Sequence, residues 1–325
     1  MTGRPPVRWT EFAHLRFTGR DPLKPKIDKA RTAELIRESG LRGPRVYGVY
    51  ERVEDIPFAA LPDSFALKPT GLNGKRGVML LRKLRSPARG RLARLRDIAL
   101  RRPAPPPVYR DTMLARELTL EAIVAEQNSW RAMHGANPRK APLRFIAEEL
   151  IVGENGGGRI PFDYKVYVFA GEPAFVLQLD RNVAPPASAF FDGAFAPMAE
   201  GDARVTRGPK TRPGRARVPR CAAEILAAAA ALSRALATPF VSVDCYATRA
   251  GAVVGEITVV PGGPYAKSAF AFSDDFDLEL GRRWTEALAR VGQPVPRYDE
   301  RWTDERRRTS GLPIKLRPAE AEHGP

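Results

Sequence analysis

Two acidic residues stand inside otherwise apolar, strand-like runs in SVDCYATRAGAVVGEITVVPGGP, residues 242–264. Asp244 and Glu256 flank a Gly-containing turn. Carboxylates on neighbouring strands suit a hard divalent cation such as Mg2+, which commonly takes one or two of them together with substrate phosphates. Solvated charge on the outer face of an edge hairpin is the plainer reading. Alternation counts against it: Asp244 would share a face with Ser242 and Tyr246, and Glu256 with Val254 and Thr258, so neither face is plainly polar. Pro261, Gly262 and Gly263 then turn the chain beside the same acids.

A second stretch, LKPTGLNGKRGVML (67–80), places a Gly-containing loop between two strands. Backbone N–H groups in such a loop can face phosphate oxygens while lysines neutralise their charge. It is not a Walker A sequence, because Gly71, Gly74 and Gly77 precede a strand rather than a helix. Lys68 lies within an apolar strand, where an unpaired ammonium is costly and calls for an anionic partner. An ordinary Gly-rich hairpin turn with a snorkelling lysine accounts for the same residues. In AEELIVGEN (147–155), Glu148, Glu149 and Glu154 are either solvated charge at a strand end or a hinge offering a carboxylate and backbone groups to an adenine and a ribose.

The elements that must position these residues follow from periodicity and punctuation. IDKARTAELIRESGL partly follows helical spacing and is closed by Gly40 and Gly43, after which RVYGVY reads as a strand. SFALKPT and VMLLRK are strands flanking the Gly loop. Residues 84–112 are Arg- and Pro-rich and read as an extended excursion, and helical pattern resumes in TMLARELTLEAIVAEQNSWRAMHG. RFIAEELIVG is a strand, YKVYVFAGEPAFVLQL a hairpin, and the Ala-rich CAAEILAAAAALSRALA a helix preceded by a Pro/Arg-rich loop, 203–219. Composition divides the chain into an N-terminal lobe (1–60), a small lobe with the excursion 82–112 (61–144), a larger lobe carrying the acids (145–291) and a charged, peripheral tail (292–325). No internal repeat is evident.

With 325 residues, 43% hydrophobic and 28% charged, the chain reads as a folded soluble protein of two or three lobes, without a transmembrane run or secretory signal. Peripheral membrane association and the oligomeric state stay open. Two cysteines, Cys221 and Cys245, fit free thiols in a reducing cytoplasm, and with three scattered histidines (His14, His134, His323) they do not suggest a thiolate metal site. The net charge of +16 favours anionic partners, including phosphate-bearing substrates. However, 42 of the 53 basic residues are arginine, a bias that base composition also produces, and no C2H2 spacing, RNP-like signature or basic heptad makes nucleic acid the main partner.

The ordered set of pieces resembles the ATP-grasp superfamily, and within it the TupA-like branch named for teichuronopeptide biosynthesis. The matching residues are IDKA (27–30), LPDSFALKPTGLNGKRGV (61–78), IAEEL (146–150), FDYKVYVFAGEP (162–173), and VDCY with GEITVVPGG (243–263), covering roughly 25–290. The resemblance implies an α+β fold in which two α+β lobes clasp ATP, with a small N-terminal lobe, and it implies ATP and Mg2+ as cofactors. It assigns Lys29 and Lys68 to the nucleotide phosphates and Gly71 to Gly77, with Asn73, Gly74 and Lys75, to the loop over the β- and γ-phosphates. Glu148 would face the adenine amino group with the backbone of Leu150 and Ile151, and Glu154, or Asn155, would take the ribose hydroxyls. Lys165 would point at the terminal phosphates, and Asp244 and Glu256 would ligate magnesium, with Thr258 where ligases of this fold commonly carry Asn. The TupA-like branch also carries Thr there. Many relatives have Arg at the position of Ser242. Arg181 is the candidate replacement for that guanidinium, a surface pairing with Asp180 being the alternative. Gly262, Gly263 and Lys267, with the excursion, are candidate substrate-facing parts.

The implied activity is ADP-forming carboxylate–amine ligation through an acyl phosphate, in surface-polysaccharide or secondary-metabolite assembly, on an acidic, small or carrier-linked substrate plus an amine. Two other readings stand beside it: a small-molecule or sugar kinase, and a nucleotide- or nucleic-acid-binding module without catalysis. No covalent nucleophile is evident, and Cys245 reads as a core thiol on the opposite strand face from Asp244.

Overall fold

The computed structural model of this chain describes residues 3–21, 25, 27–72, 74–84, 107–136, 142–156, 159–198, 204–260 and 270–299. Packing groups the chain into two units, Asp28–Ile160 and, discontinuously, Met1–Ile27 with Pro161–Pro325. This differs from the lobes drawn on composition for non-local reasons. Helix α1 (Trp9–Phe17) packs on a helix near the C-terminus, and a strand at 145–149 pairs between strands from the first half of the other unit.

The Asp28–Ile160 unit is built on one antiparallel sheet. Its strands are β1 (Val46–Tyr50), β2 (Ser64–Pro69), β3 (Met79–Leu84), β4 (Val108–Asp111), β5 (Arg116–Thr119) and β6 (Phe145–Glu149), in the order β1-β6-β2-β3-β4-β5. Period-2 alternation turns Phe65, Leu67, Met79, Leu81, Tyr109, Phe145 and Ala147 to one core, which Val53, Phe58 and Ile123 complete. Helix α2 (Lys29–Glu38) starts at Asp28, whose carboxylate accepts from Arg31 N at 2.8 Å. The helical pattern expected over 112–135 begins later than expected. Residues 116–119 pair with β4, with Arg116 against Asp111 (3.3 Å) and Arg110 against Glu117 (3.6 Å), and α3 (Leu120–Gly135) starts at the Thr119 cap. Of the excursion, 82–84 end β3 and 108–111 are β4, while 85–106 lie outside the described residues.

The other unit carries β7 (Asp163–Phe169), β8 (Glu172–Asp180), β9 (Ala187–Asp192), β10 (Val205–Arg207), β11 (Arg212–Pro213), β12 (Phe240–Thr248), β13 (Gly251–Thr258) and β14 (Phe270–Phe272). Six of them form a sheet in the order β11-β9-β8-β7-β12-β13, and β10 pairs with β14. The expected hairpin is β7–β8, turned by Ala170 (φ 44°) and Gly171 (φ 89°), both left-handed as a tight primed turn requires. Helix α4 (Ala222–Ala235) packs on β12 and β13, its alanines allowing close approach. Helix α5 (Asp274–Arg290) packs on α1, and an aromatic core of Trp9, Phe12, Tyr167, Phe175, Phe240 and Trp284 fills the space beside β7, β8 and β12. The tail from 292 is tied down through Tyr298, which is buried and bridges to Arg4; 300–325 lie outside the described residues. Among the described residues no helix is long and apolar enough to cross a membrane.

Candidate functional site

In the Asp28–Ile160 unit, Lys68 on β2 forms a close ion pair with Glu148 on β6, both largely buried. The neighbouring strands place Ala66 opposite Glu148 and Lys68 opposite Ile146, so the pair meets diagonally across the ladder. The anionic partner that Lys68 required is therefore supplied within the unit. Lys29, the first residue of α2, bonds through Nζ to the Leu72 carbonyl, and its N–H reaches Thr70 O at 3.3 Å, which brings it to the start of the Gly loop. Gly74 (φ 70°) is exposed with open space around it. Gly77 (φ 69°) is buried, its carbonyl accepting from Gln127 Nε2 at 2.9 Å, and a Cβ there would lie 2.5 Å from Pro69 Cγ. The loop is thus pinned at its end and exposed at Gly71, Gly74 and Lys75. Leu150, Ile151 and Glu154 follow β6 and are half-buried; Glu149 instead accepts from Arg45 N at 3.1 Å. Asn73 lies outside the described residues, as do Gly262, Gly263 and Lys267.

In the other unit the register sets three predicted residues in one row across three strands: Lys165 on β7 faces Asp244 on β12, which faces Glu256 on β13. Thr258 faces Ser242 in the next row. One expectation is corrected here. Val254 does not share the face of Glu256, because the ladder shifts register between Asp244 and Cys245, so that Cys245 pairs with Val254 and Gly255 is the extra residue. The bulge turns Glu256 onto Asp244's face and leaves Val254 in the core with Cys245. A Cβ on Gly255 would sit 2.4 Å from Tyr246 Cε2, so only glycine fits beneath that ring.

The charges along this face are interlocked. Lys165 bonds to Asp244 and stands 3.5 Å from Asp163, and Arg181 Nη2 donates to Asp163 Oδ2 at 2.8 Å. Arg181 therefore pairs inward with Asp163, while Asp180 accepts from Asn182. Burial pushes Asp244 above the usual carboxylate range; Lys165 opposes this, and Asp163 and Glu256 add to the rise. Burial acts upward on Asp163 too, but Lys165 and Arg181 together hold it below its ordinary value. Lys165 is held above its ordinary value because Asp163 and Asp244 outweigh its desolvation. Burial likewise raises the Cys245 thiol, which is fully enclosed.

Asp244 Oδ1, Asp163 Oδ1 and Ser242 Oγ are buried with no hydrogen-bond partner. Unpartnered buried carboxylate oxygens are expensive unless a cation completes them, and hard oxygen donors are what Mg2+ takes. Asp244 and Glu256 therefore fit magnesium. Among the described residues no group of three or more His, Cys, Asp or Glu could hold a metal alone, so waters, and substrate oxygens once substrate is bound, would complete the shell. Two members of the site were not read from the sequence. Asp163 is signalled only by alternation, two residues before Lys165 on the same face. Arg16 is fully buried and donates to Phe240 O (2.7 Å), Val259 O (3.1 Å) and Thr238 Oγ1 (3.0 Å), fixing β12 and the end of β13 just beyond Thr258.

These sheets and acid-bearing strands define an α+β protein of the ATP-grasp type. Residues 114–285, more than half of the chain, match the family described as TupA-like ATPgrasp, and the chain belongs to that family. Similar solved structures include the ATP-grasp ligase PsnB complexed with minimal precursor, 16% identical over 74% of this chain and 55% of that one at a TM-score of 0.37. D-alanine--D-alanine ligase from Bacillus anthracis complexed with ATP is 12% identical over 81% and 65%, at 0.40. The L-amino acid ligase from Bacillus licheniformis is 15% identical over 73% and 43%, at 0.37. The chain spans less than two thirds of each of these proteins. No curated protein matches it.

Proposed function

We propose that this chain is an ATP-dependent, ADP-forming carboxylate–amine ligase that attaches an amino acid or peptide to an acidic sugar or similar acceptor. The observation that carries the reading is the row Lys165–Asp244–Glu256, with a buried, unpartnered Asp244 oxygen beside it. A carboxylate does not acylate amines at neutral pH because its oxygen leaves poorly. Transfer of the γ-phosphoryl group forms a carboxylate O–P bond, breaks the β,γ-bridge and releases ADP. The amine nitrogen then attacks the acyl carbon, loses a proton, and expels phosphate. The protein's task is alignment and charge stabilisation.

The residues of each unit would take separate tasks. Lys29, Lys68 and the backbone of Gly71–Gly77, with Lys75, would hold the phosphates; Glu148, the backbone of Leu150 and Ile151, and Glu154 would hold adenine and ribose. Asp244, Glu256 and Thr258 would hold magnesium, which when bound neutralises charge on the transferring phosphoryl group. Lys165 would neutralise the terminal phosphates, and Arg181 would steady the acyl phosphate. The net charge of +16 suits an acidic or phosphate-bearing acceptor.

A hydroxylamine trap tests this. The protein is incubated with Mg-ATP, hydroxylamine and pooled uronic acids, amino acids and small peptides, and ADP and hydroxamate masses are recorded. Hydroxamate formed with matching ADP supports acyl-phosphate chemistry and names the acid. ADP with a phosphorylated product and no hydroxamate replaces ligation by a kinase reaction. Absence of any melting shift with millimolar Mg-ATP removes the nucleotide site, since ligand at about 100 times its Kd should add about 2.7 kcal/mol.

A further inference from the structure

We infer that Asp163 is a positioning residue that serves as the second counter-ion of Lys165, allowing the lysine to release Asp244 to a divalent cation. The inference rests on the magnesium site proposed above and adds a residue that the motif does not assign. In the structure the Lys165 side chain is largely enclosed, its ammonium lying between two carboxylates, bonded to Asp244 and 3.5 Å from Asp163 Oδ2. A cation arriving at Asp244 must displace or share with that ammonium. A largely enclosed ammonium that loses its only carboxylate is penalised, so Asp244 is vacated most readily when another anion is already within reach.

Asp163 meets that need on three counts. It lies on the same strand and face as Lys165, two residues away, so the ammonium can swing between the carboxylates by side-chain rotation alone. Arg181 fixes Asp163 Oδ2 at 2.8 Å and leaves Oδ1 buried with no hydrogen-bond partner, an acceptor in reserve. Lys165 and Arg181 keep Asp163 ionised in spite of its burial. The result is a chain of alternating charge, Arg181–Asp163–Lys165–Asp244, whose last link can open without stranding a charge.

The test is Mn2+ binding to the full-length protein, without nucleotide, read as loss of the free-ion electron paramagnetic resonance signal, for wild type, Asp163→Asn, Lys165→Met and the double variant. In Asp163→Asn, Lys165 has only Asp244 and competes with the metal, so the Mn2+ dissociation constant should rise at least about ten-fold. Lys165→Met removes the competitor and should bind more tightly than wild type. In that background Asp163→Asn should change affinity less than about two-fold, because Asp163 acts through Lys165. The same fold-loss in both backgrounds would mean that Asp163 acts directly through its charge and would overturn the inference. Asp163→Glu, which keeps the carboxylate, should restore most of the affinity; failure to do so counts against it. If Asp163→Asn does not fold, Asp163→Ser takes its place in both backgrounds with the same expected losses, and unchanged or weaker Mn2+ binding in Lys165→Met contradicts competition at Asp244 in either case. Absence of Mn2+ binding in wild type and Lys165→Met alike would remove the metal site itself, and this inference with it. An Asp163 effect that persists without Lys165 would leave the metal site standing.

Discussion

The Lys68–Glu148 pair offers the sharpest test of how the Asp28–Ile160 unit holds its predicted nucleotide residues. Both side chains are largely buried, at 17% and 7% exposure. Two unit charges about 4 Å apart attract by about 4 kcal/mol at an effective dielectric constant of about 20, but much of this is offset by removing both from water. Removing one partner is a different matter, because it leaves the other charge largely buried without its close counter-ion, and breaking a buried pair in this way costs about 3–5 kcal/mol. Lys68→Met and Glu148→Leu should therefore each lower the unfolding free energy by about 3 kcal/mol or more. The double variant should be less destabilised than either single one, because apolar groups of similar size then meet each other. Urea denaturation of the four proteins gives the coupling, expected to be about 3 kcal/mol and favourable in the native pair. Additive losses in the double variant would refute the argument and show that each charge has another partner of equal weight. The double variant, although folded, should lose the melting shift with Mg-ATP, which separates the structural pair from its proposed nucleotide role.

Gly77→Ala forces a left-handed residue and places Cβ 2.5 Å from Pro69 Cγ, so it should cost about 2 kcal/mol or more; Gly74→Ala, with open space around it, should cost only the backbone part, about 1 kcal/mol. Equal urea midpoints for the two variants would contradict this packing account. Asp277, whose carboxylate accepts from Thr10 N at 2.9 Å, is raised above the usual range by burial. A raised folded value means that its contribution is fully present below the unfolded pKa and is lost as pH rises through the folded one. Asp277→Asn should therefore gain on wild type in unfolding free energy between pH 4 and pH 7, and a gap that is flat or shrinks with pH would show the shift to be absent. Glu256→Ala, at a half-buried position, should keep the wild-type melting temperature within about 2 °C, since a substitution away from a packed core usually costs under about 0.5 kcal/mol. It should abolish hydroxamate formation, and normal turnover in that variant would remove Glu256 from the proposed metal site.

Much of this architecture was legible because its signals are local. Alternation around Lys68, Lys165 and Asp244 identified their strands, and the Ala170–Gly171 turn fixed a hairpin whose two halves alternate on either side. Membership of a family was carried by the order of several such pieces, each weak by itself. What stayed hidden depends on partners distant in sequence. Residues 116–119 carry a helix-compatible pattern and become a strand by pairing with β4, opposite charges meeting across the ladder. Helix α1 is buried on nearly every side, including Glu11, His14 and Arg16, so it has no polar face whose period could announce it. Helix α5 did carry a signal, with Ser273 as its cap and Phe276, Leu280, Trp284 and Leu288 spaced by four.

The site itself turns on the least legible feature of all. Strict alternation puts Val254, Glu256 and Thr258 on one face, and a reading from period alone has no means of inserting the extra residue that the ladder contains. Glycine at 255 is the one visible trace, and its reason lies across the strand, where the Tyr246 ring occupies the space a side chain would need. Without the bulge, Glu256 would be carried to the core face with Cys245, where a carboxylate has no partner and no substrate can reach it. With it, Glu256 stands directly opposite Asp244, and Val254 takes the buried position that a valine fills well. The acids are thus where a cation needs them because a register shift, rather than the spacing of the acids, brings them to one face.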